Sequence, residues 1–421
     1  MHLAAGPQAG PGLQGGKRRD LGHLTYCTNI HAGELLDEVM RSLAQHLPDI
    51  KARVAPDQAF GVGLRLGHAA AQALRDPARL AELKQLLASG GYYVFTLNGF
   101  PYGPFHGRAV KEDAYRPDWS ESQRLDYSNG LADILSELLP AGQGGSVSTV
   151  PCTFQPWAAG RLDAITEHLI AHVAHLLGIA ARTGRTIALA LEPEPHCYLE
   201  TIAQSVEFFK DRLFSHAAVA RLASLAGVSA GAAEAALHRH IGVCYDVCHA
   251  AVEFEDAAAS IAQLRAHGIL IAKLQLSSAL RIAAFDAASA RHLAAFAEPV
   301  YLHQVVQREK ADKGGICELR RFVDLPQALA ASVQSGVGLG AEWRVHFHVP
   351  VFLEQMQHFG TTQAFLAEIL ELHRAEPISA HLEVETYTWD VLPPAYREAG
   401  LGAAIARELN WVKDRLCQKL P

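Results

Sequence analysis

Charge is scarce in this chain: 19% of its 421 residues are charged, 37 basic against 44 acidic for a formal net charge of −7, and the longest basic block is Lys17-Arg18-Arg19. A chain without a basic stripe offers no footprint for a phosphate backbone, which argues against nucleic acid as a partner. Cysteine is sparse too. Seven residues, at 27, 152, 197, 244, 248, 317 and 417, are an odd, irregular set rather than a secreted disulfide scaffold, so a reducing cytoplasm is the expected compartment. No stretch approaches the ~18 consecutive apolar residues of a membrane span. The first 20 residues are rich in Gly and Pro, lack the apolar core of a signal peptide, and read as a disordered tail. No G-x-G-x-x-G follows a strand, and Gly336, Gly338 and Gly340 lead into a strand instead, which weakens a dinucleotide or P-loop reading.

What is present is apolar sequence, 49% of the chain, in a regular alternation. Short β-branched or aromatic runs alternate with long Ala/Leu-rich stretches of helical period, the pattern of βα units on a parallel sheet. The strand candidates are Leu24–His31, Phe60–Leu66, Tyr92–Asn98, Ser146–Cys152, Thr186–Glu194, Ile241–His249, Ile269–Ser277, Arg344–Phe352 and His381–Trp389, so nine segments compete for eight places. Most end in polar residues, and chemistry gathered at strand C-termini points to an α/β fold of the (β/α)8 TIM-barrel type. One barrel domain is expected over residues 21–421, with an insertion over its mouth near 298–343.

The sharpest element is Ala188-Leu-Ala-Leu-Glu192-Pro-Glu194-Pro195, an apolar strand ending in two carboxylates. With a period of two, Glu192 and Glu194 share a face, and a buried carboxylate is costly unless paired or bound to a metal. A solvent-facing loop is the competing reading, with Glu194 the more exposed to it. In Gly242-Val-Cys-Tyr-Asp246-Val-Cys-His249, a carboxylate on an apolar strand is followed by a histidine at its mouth, and mixed oxygen and imidazole donors suit Mg, Mn, Co, Fe or Zn rather than calcium. Cys244 and Cys248 share Asp246's face but lack a second cysteine pair, so inert buried thiols are expected. Lys273, Gln275 and Ser277 alternate on one face, as do His346 with His348 and Glu383 with Glu385. His168, His172 and His175 recur at helical spacing without an H-E-x-x-H pattern and read as an ordinary helix face. Asn98 and His106, in the aromatic loop after the third strand, and His196, after the Glu-Pro-Glu-Pro run, are candidates for binding a polyol or sugar.

The runs L-E-P-E-P at 191–195, Y-D-V-C-H at 245–249 and R-V-H-F-H-V-P at 344–350 resemble the xylose isomerase-like TIM barrels, which include ketose epimerases. More specifically, T-Y-C-T-N-I-H at 25–31, V-K-E-D-A-Y-R-P-D-W at 110–119 and H-L-E-V-E-T-Y-T-W at 381–389 resemble the EboE family of metabolite traffic proteins. The resemblance implies a divalent metal (Mn, Mg, Co or Zn) held by Glu192, Asp246 and a residue at the Gln275 position, where relatives have His or Asp. The last ligand would be either His348 or Glu385. Glu192, Glu385 and His249 are then the expected catalytic groups, and Asn98, His106, His196 and Lys273, from their own placement at strand ends, loop and inward face, are the expected contacts to a small polar metabolite. The expected activity is isomerisation or epimerisation of a polyol or cyclitol in a secondary-metabolite precursor pathway, with proteins of the same operon as partners. The alternative is a barrel that binds or hands on the metabolite without catalysis, which the neutral Gln275 favours.

Overall fold

The computed structural model describes residues 1–5, 19–309, 318–397 and 400–417. Strands are numbered in chain order: β1 His2–Ala5, β2 Arg19–Tyr26, β3 Phe60–Arg65, β4 Tyr92–Asn98, β5 Gly145–Thr149, β6 Ile187–Leu191, β7 Ile241–Asp246 and β8 Leu270–Leu276. They continue with β9 Leu280–Ile282, β10 Val305–Arg308, β11 Leu319–Phe322, β12 Glu342–Val345, β13 Gly360–Thr361 and β14 His381–Val384. The main sheet runs β1-β2-β14-β8-β7-β6-β5-β4-β3, and from β2 round to β3 every pairing is parallel. Its two ends meet. Cys27 bridges Gly63 in parallel, while the Thr25 hydroxyl donates to the Gly61 carbonyl at 2.7 Å and accepts from Gly63 N at 3.0 Å. Eight parallel strands thus close into a (β/α)8 barrel, with threonine hydroxyls completing the β2–β3 seam.

Sequence explains this closure locally. β5, β6 and β7 are buried along their whole length, as strands packed on both faces must be. The intervening helices start on well-formed caps, such as the Thr201/Gln204 capping box and the Ser215, Ser229 and Asp256 side chains on backbone N–H groups. The helix Leu162–Thr183 is long and apolar enough by composition to cross a membrane, yet it packs on neighbouring helices and on β6 as part of the outer ring. Its histidines point into that packing: His168 bonds the Trp119 carbonyl, His172 the Asn129 amide oxygen and His175 the Asp133 carboxylate, which is the ordinary helix-face arrangement.

Three expectations change. Residues 2–5 and 19–20, placed in a disordered tail, are strand: β1 pairs antiparallel with the start of β2, because the apolar Leu3 is buried there. Residues 6–18 of that tail lie outside the described residues. The ninth strand candidate, Arg344–Phe352, does not enter the barrel. Only Glu342–Val345 is strand, and it pairs antiparallel with β10 and β9 in a separate sheet of order β11-β10-β12-β9-β13. The excursion between β8 and the helix Gln363–Ala375 is therefore wider than 298–343, since β9 and β13 belong to it.

The barrel interior is polar. Lys273 and Glu383, both fully buried, form an ion pair at 2.5 Å, and Lys273 Nζ also reaches Ser148 Oγ at 3.3 Å. Gly63 makes room for this pair, because a Cβ there would stand 1.7 Å from Glu383 Oε2 and 2.7 Å from the Tyr26 carbonyl oxygen. Gly63→Ala is expected to destabilise the protein by about 1–3 kcal/mol through overpacking. Chemical denaturation of the two proteins checks this, and equal midpoints would contradict the packing described.

Candidate metal centre

Glu192 and Glu385 leave the ends of β6 and β14, and Asp246 ends β7, so the parallel ring delivers all three carboxylates to one mouth. Donor oxygens of these three groups lie within 4.8 Å of one another, and each residue is buried. Their remaining oxygens are anchored differently. Asp246 Oδ1 caps the next helix by accepting from His249 N at 3.0 Å and from Ser277 Oγ at 2.8 Å, which leaves Oδ2 buried without a partner. Glu385 Oε1 accepts from Asn29 Nδ2 at 2.7 Å and Asn98 Nδ2 at 3.1 Å. Glu192 Oε2 is buried without a partner. Buried carboxylate oxygens with no donor are costly, and a divalent cation is the group that satisfies several at once.

Electrostatics agrees with that reading. Burial pushes the Glu192 carboxyl well above the usual carboxylate range, and the neighbouring Glu385 and Asp246 add to the effect while Lys273 opposes it. Burial raises Glu385 as well, against the opposing pull of His348. Glu194 is held at about 8 by burial, although Tyr115 OH at 2.8 Å and Gln304 Nε2 at 3.2 Å both donate to its Oε1. His249 falls to about 4 and His346 lies well below the imidazole range, in both cases chiefly through burial, so both are neutral near pH 7.

A cavity with about 60 Å³ of free space opens onto these groups, lined among others by Asn29, Asn98, Glu192, Glu194, His249 and Glu385. Above it Phe105, Tyr301 and Tyr387 pack pairwise with ring centroids 4.9, 5.4 and 5.1 Å apart, forming an aromatic cover from three separate segments. Lys111 ties the cover together, its Nζ donating to the Glu298 and Tyr301 carbonyls and to Asp324 Oδ2 at 2.6 Å.

Of the residues proposed from sequence, Glu192, Asp246, Glu385, His249 and Asn98 meet at this mouth. His348 joins them from the excursion: its Nδ1 faces the Glu385 carbonyl at 2.9 Å, its Nε2 is buried without a partner, and it groups with Asp246 and His249. Gln275 stands beside them, in register with Asp246 and Glu383 and fully buried, but offers only a neutral amide. The structure places three residues elsewhere. His106 has both ring nitrogens engaged, by the Asn29 carbonyl at 2.5 Å and Tyr301 OH at 3.2 Å, so it braces the cover. His196 sits in a left-handed turn at φ +64°, outside the cavity lining, with its amide bonded to Glu200. Lys273 lies within the barrel, bound to Glu383, rather than on the cavity wall. Cys244 and Cys248 are buried free thiols that burial holds strongly protonated, although Cys248 is within reach of His346 and His348.

Several contributors carry no site role in the sequence reading. Asn29 carries a weak signal, as a polar residue after a strand, but Tyr115, Gln304, Tyr301 and Tyr387 come from loops whose positions depend on tertiary packing.

No family model matches the chain, and no curated protein does. Among solved structures, the chain is similar to a xylose isomerase domain containing protein of Salmonella typhimurium LT2, at 11% identity and TM-score 0.42 over 96% of this chain and 100% of that one. It is similar to an IolI protein solved with a zinc atom, at 12% identity and TM-score 0.41 over 94% and 97%. A third is the probable 3-DHS dehydratase AsbF of petrobactin synthesis from Bacillus anthracis, at 12% identity and TM-score 0.42 over 93% and 99%.

The buried acids set a pH dependence. A carboxyl raised in the folded state contributes stability that is complete below its ordinary value of 4.5 and is lost as pH rises through the folded value, about 8 for Glu194. The depressed histidines act at lower pH, below about 6.5, where the unfolded chain binds their protons more tightly. Chelator-treated protein is therefore expected to lose about 1 kcal/mol or more between pH 7 and pH 9. Denaturation midpoints at the two pH values measure this, and a flat or rising trend would contradict it.

Proposed function

We propose that the protein is a divalent-metal-dependent isomerase or epimerase of a small polyol, sugar or cyclitol. The observation that carries this reading is the convergence of three buried carboxylates, Glu192, Asp246 and Glu385, with Glu192 Oε2 and Asp246 Oδ2 lacking any hydrogen-bond donor. These residues fit a divalent ion, with His348 Nε2 or Gln275 as the neutral donor beside them. When bound, the ion would supply Lewis-acid polarisation of a carbonyl and its adjacent hydroxyl.

The chain's own groups account for the rest. Asn29 and Asn98 hold Glu385 Oε1, which fixes the orientation of the carboxylate at the mouth, and Glu385 is assigned the transfer of a proton at a substrate carbon. Glu192, across the cluster, serves as the second proton-transfer group. The aromatic cover excludes water and offers apolar ring faces to the C–H surface of a sugar-like molecule. The EboE-like role, in which the product enters a secondary-metabolite precursor pathway alongside proteins of the same operon, is the finer form of the proposal and rests on the sequence motifs. A second reading, binding and hand-over without catalysis, is favoured by one observation: the strand position beside Asp246 holds the neutral Gln275.

Glu192→Gln is expected to abolish retention of one divalent ion per chain while leaving the fold intact, because an amide oxygen brings no charge and the buried carboxylate is costly without its ion. Metal analysis with thermal unfolding, with and without chelator, checks this, and unchanged stoichiometry would refute the site. Isomerase activity itself is tested by incubating the Mn-loaded protein with a panel of free ketoses and inososes in D2O. Deuterium should enter at carbon next to the carbonyl of the true substrate and should fall at least roughly 100-fold in Glu192→Gln. Saturable binding without exchange would favour the hand-over reading.

A further inference from the structure

The free space at the carboxylate mouth is about 60 Å³, whereas sites that enclose a small-molecule ligand run to roughly 300–1,000 Å³. A sugar-like molecule at Glu192 and Glu385 therefore needs room that the mouth alone does not hold. A second cavity of about 430 Å³ lies against it, and the two share Pro101, Phe105 and Ala114 as a common wall. Joined, they reach the size of a ligand site. We infer that the substrate site continues through this wall and that the substrate is a two-part molecule, a keto-polyol head at the carboxylates carrying a second, uncharged hydroxylated ring, as in a glycoside. This rests on the reading of the mouth as a polyol-converting site and names the class of polyol it takes.

The wall has one movable part. Pro101 and Ala114 are small or rigid, so the Phe105 ring is the main obstruction between the two spaces. That ring packs on Tyr301, Tyr387 and His106 at centroid distances of 4.9, 5.4 and 5.4 Å, contacts that a change of rotamer releases without breaking a hydrogen bond. The backbone around it is pinned instead. Phe105 N donates to Glu34 Oε1 at 3.0 Å, and the Gly103 carbonyl accepts from Arg65 Nη2 at 2.6 Å. On the other side, Val110 N and Lys111 N both donate to the Val300 carbonyl, at 2.7 and 3.0 Å. Lys111 is held there at φ +45°, a left-handed conformation uncommon for a residue other than glycine. A fixed backbone with one hydrogen-bond-free ring is the construction of a gate between two compartments.

The lining of the larger cavity selects the second ring. It carries Arg108, Asp113, Arg116, Glu121 and Gln123, a balanced set of charges beside one amide. An anionic tail would meet Asp113 and Glu121, a cationic one Arg108 and Arg116, and a hydrocarbon chain would cover all four charges without pairing them. Hydroxyl groups both donate and accept, so a sugar ring suits groups of either sign. Asp113 and Arg116 stand 3.7 Å apart, beyond hydrogen-bond distance, which leaves both open to a ligand. Tyr102, Pro101 and Pro104 supply apolar surface for the C–H faces of such a ring.

The test compares D-fructose with turanose, lactulose, leucrose and isomaltulose, disaccharides that attach a second ring at successive oxygens of that ketose. The Mn-loaded full chain is titrated calorimetrically with each sugar, and crystals are soaked with the one that binds most tightly. At least one disaccharide is expected to bind roughly 10-fold or more tightly than D-fructose, because contacts remote from the reacting carbons add binding energy. Its second ring should lie in the larger cavity with the Phe105 ring displaced. Gln123→Trp, which fills that cavity from an exposed position, should abolish the preference. Equal affinities, or a second ring lying outside the larger cavity, would overturn this inference and leave the proposed function standing. Tight disaccharide binding without deuterium exchange would uphold it and favour the hand-over reading. Binding of neither D-fructose nor any disaccharide would count against both. The wild-type affinities and crystal decide the matter even if Gln123→Trp fails to fold.

Discussion

The structure turns on uncompensated negative charge in a closed space. Glu192, Asp246 and Glu385 are brought together by three strands of a parallel ring, and Glu194 stands two residues beyond Glu192. The buried cation of the barrel interior, Lys273, is already committed to Glu383 at 2.5 Å. Carboxylates crowded in this way must take up protons, as their raised values indicate, or bind a cation. Everything around them prevents the simpler escape of rotating into water: Asn29 and Asn98 hold Glu385, the helix after β7 holds Asp246, and the aromatic cover closes over the top.

The architecture explains why such a cluster can exist at all. Parallel strands buried on both faces spend their apolar residues on packing, while the residues just past their C-termini are free to be polar. Glu192 follows Ala188 and Ala190 on the inward face of β6, and Asp246 follows Cys244 on β7, so small inward side chains leave volume for polar ones at the mouth. The excursion between β8 and the last strand then supplies what the barrel strands lack, namely His346 and His348 from the segment after β12 and Gln304 beside β10. The rigid ring thus positions the acids and the added sheet positions the imidazoles.

This division also sets how much could be read from the sequence. Glu192, Asp246 and Glu385 were legible because a charge at the end of an apolar strand violates the local pattern, and a period of two assigns its face. The barrel was legible from the alternation of periods, apart from the extra candidate at Arg344–Phe352. Antiparallel β12 has the same apolar alternation as a barrel strand, and its partners β10 and β9 are not encoded in its own periodicity. Lys273 was assigned to substrate because its inward face was legible while its partner Glu383, from the far end of the chain, was not. His106 and His196 stand outside the cavity lining for a related reason, since a polar side chain in a loop reveals its type but not the group it will bond. Gln304 left no sequence signal and Tyr115 was legible only as part of an aromatic segment, because their roles come from where the loop and the excursion meet Glu194.

The central claim, that a divalent ion replaces protons on these buried acids, has a direct measurement: calorimetric titration of chelator-stripped protein with Mn2+ at pH 7 in buffers of different ionisation enthalpy. If Glu192 and Glu385 hold protons in the metal-free state, binding one ion should release them, and the apparent enthalpy should shift with the buffer by roughly one proton or more per ion. Saturable binding with no proton release would contradict the account of the buried carboxylates, and no saturable binding at all would contradict the metal centre.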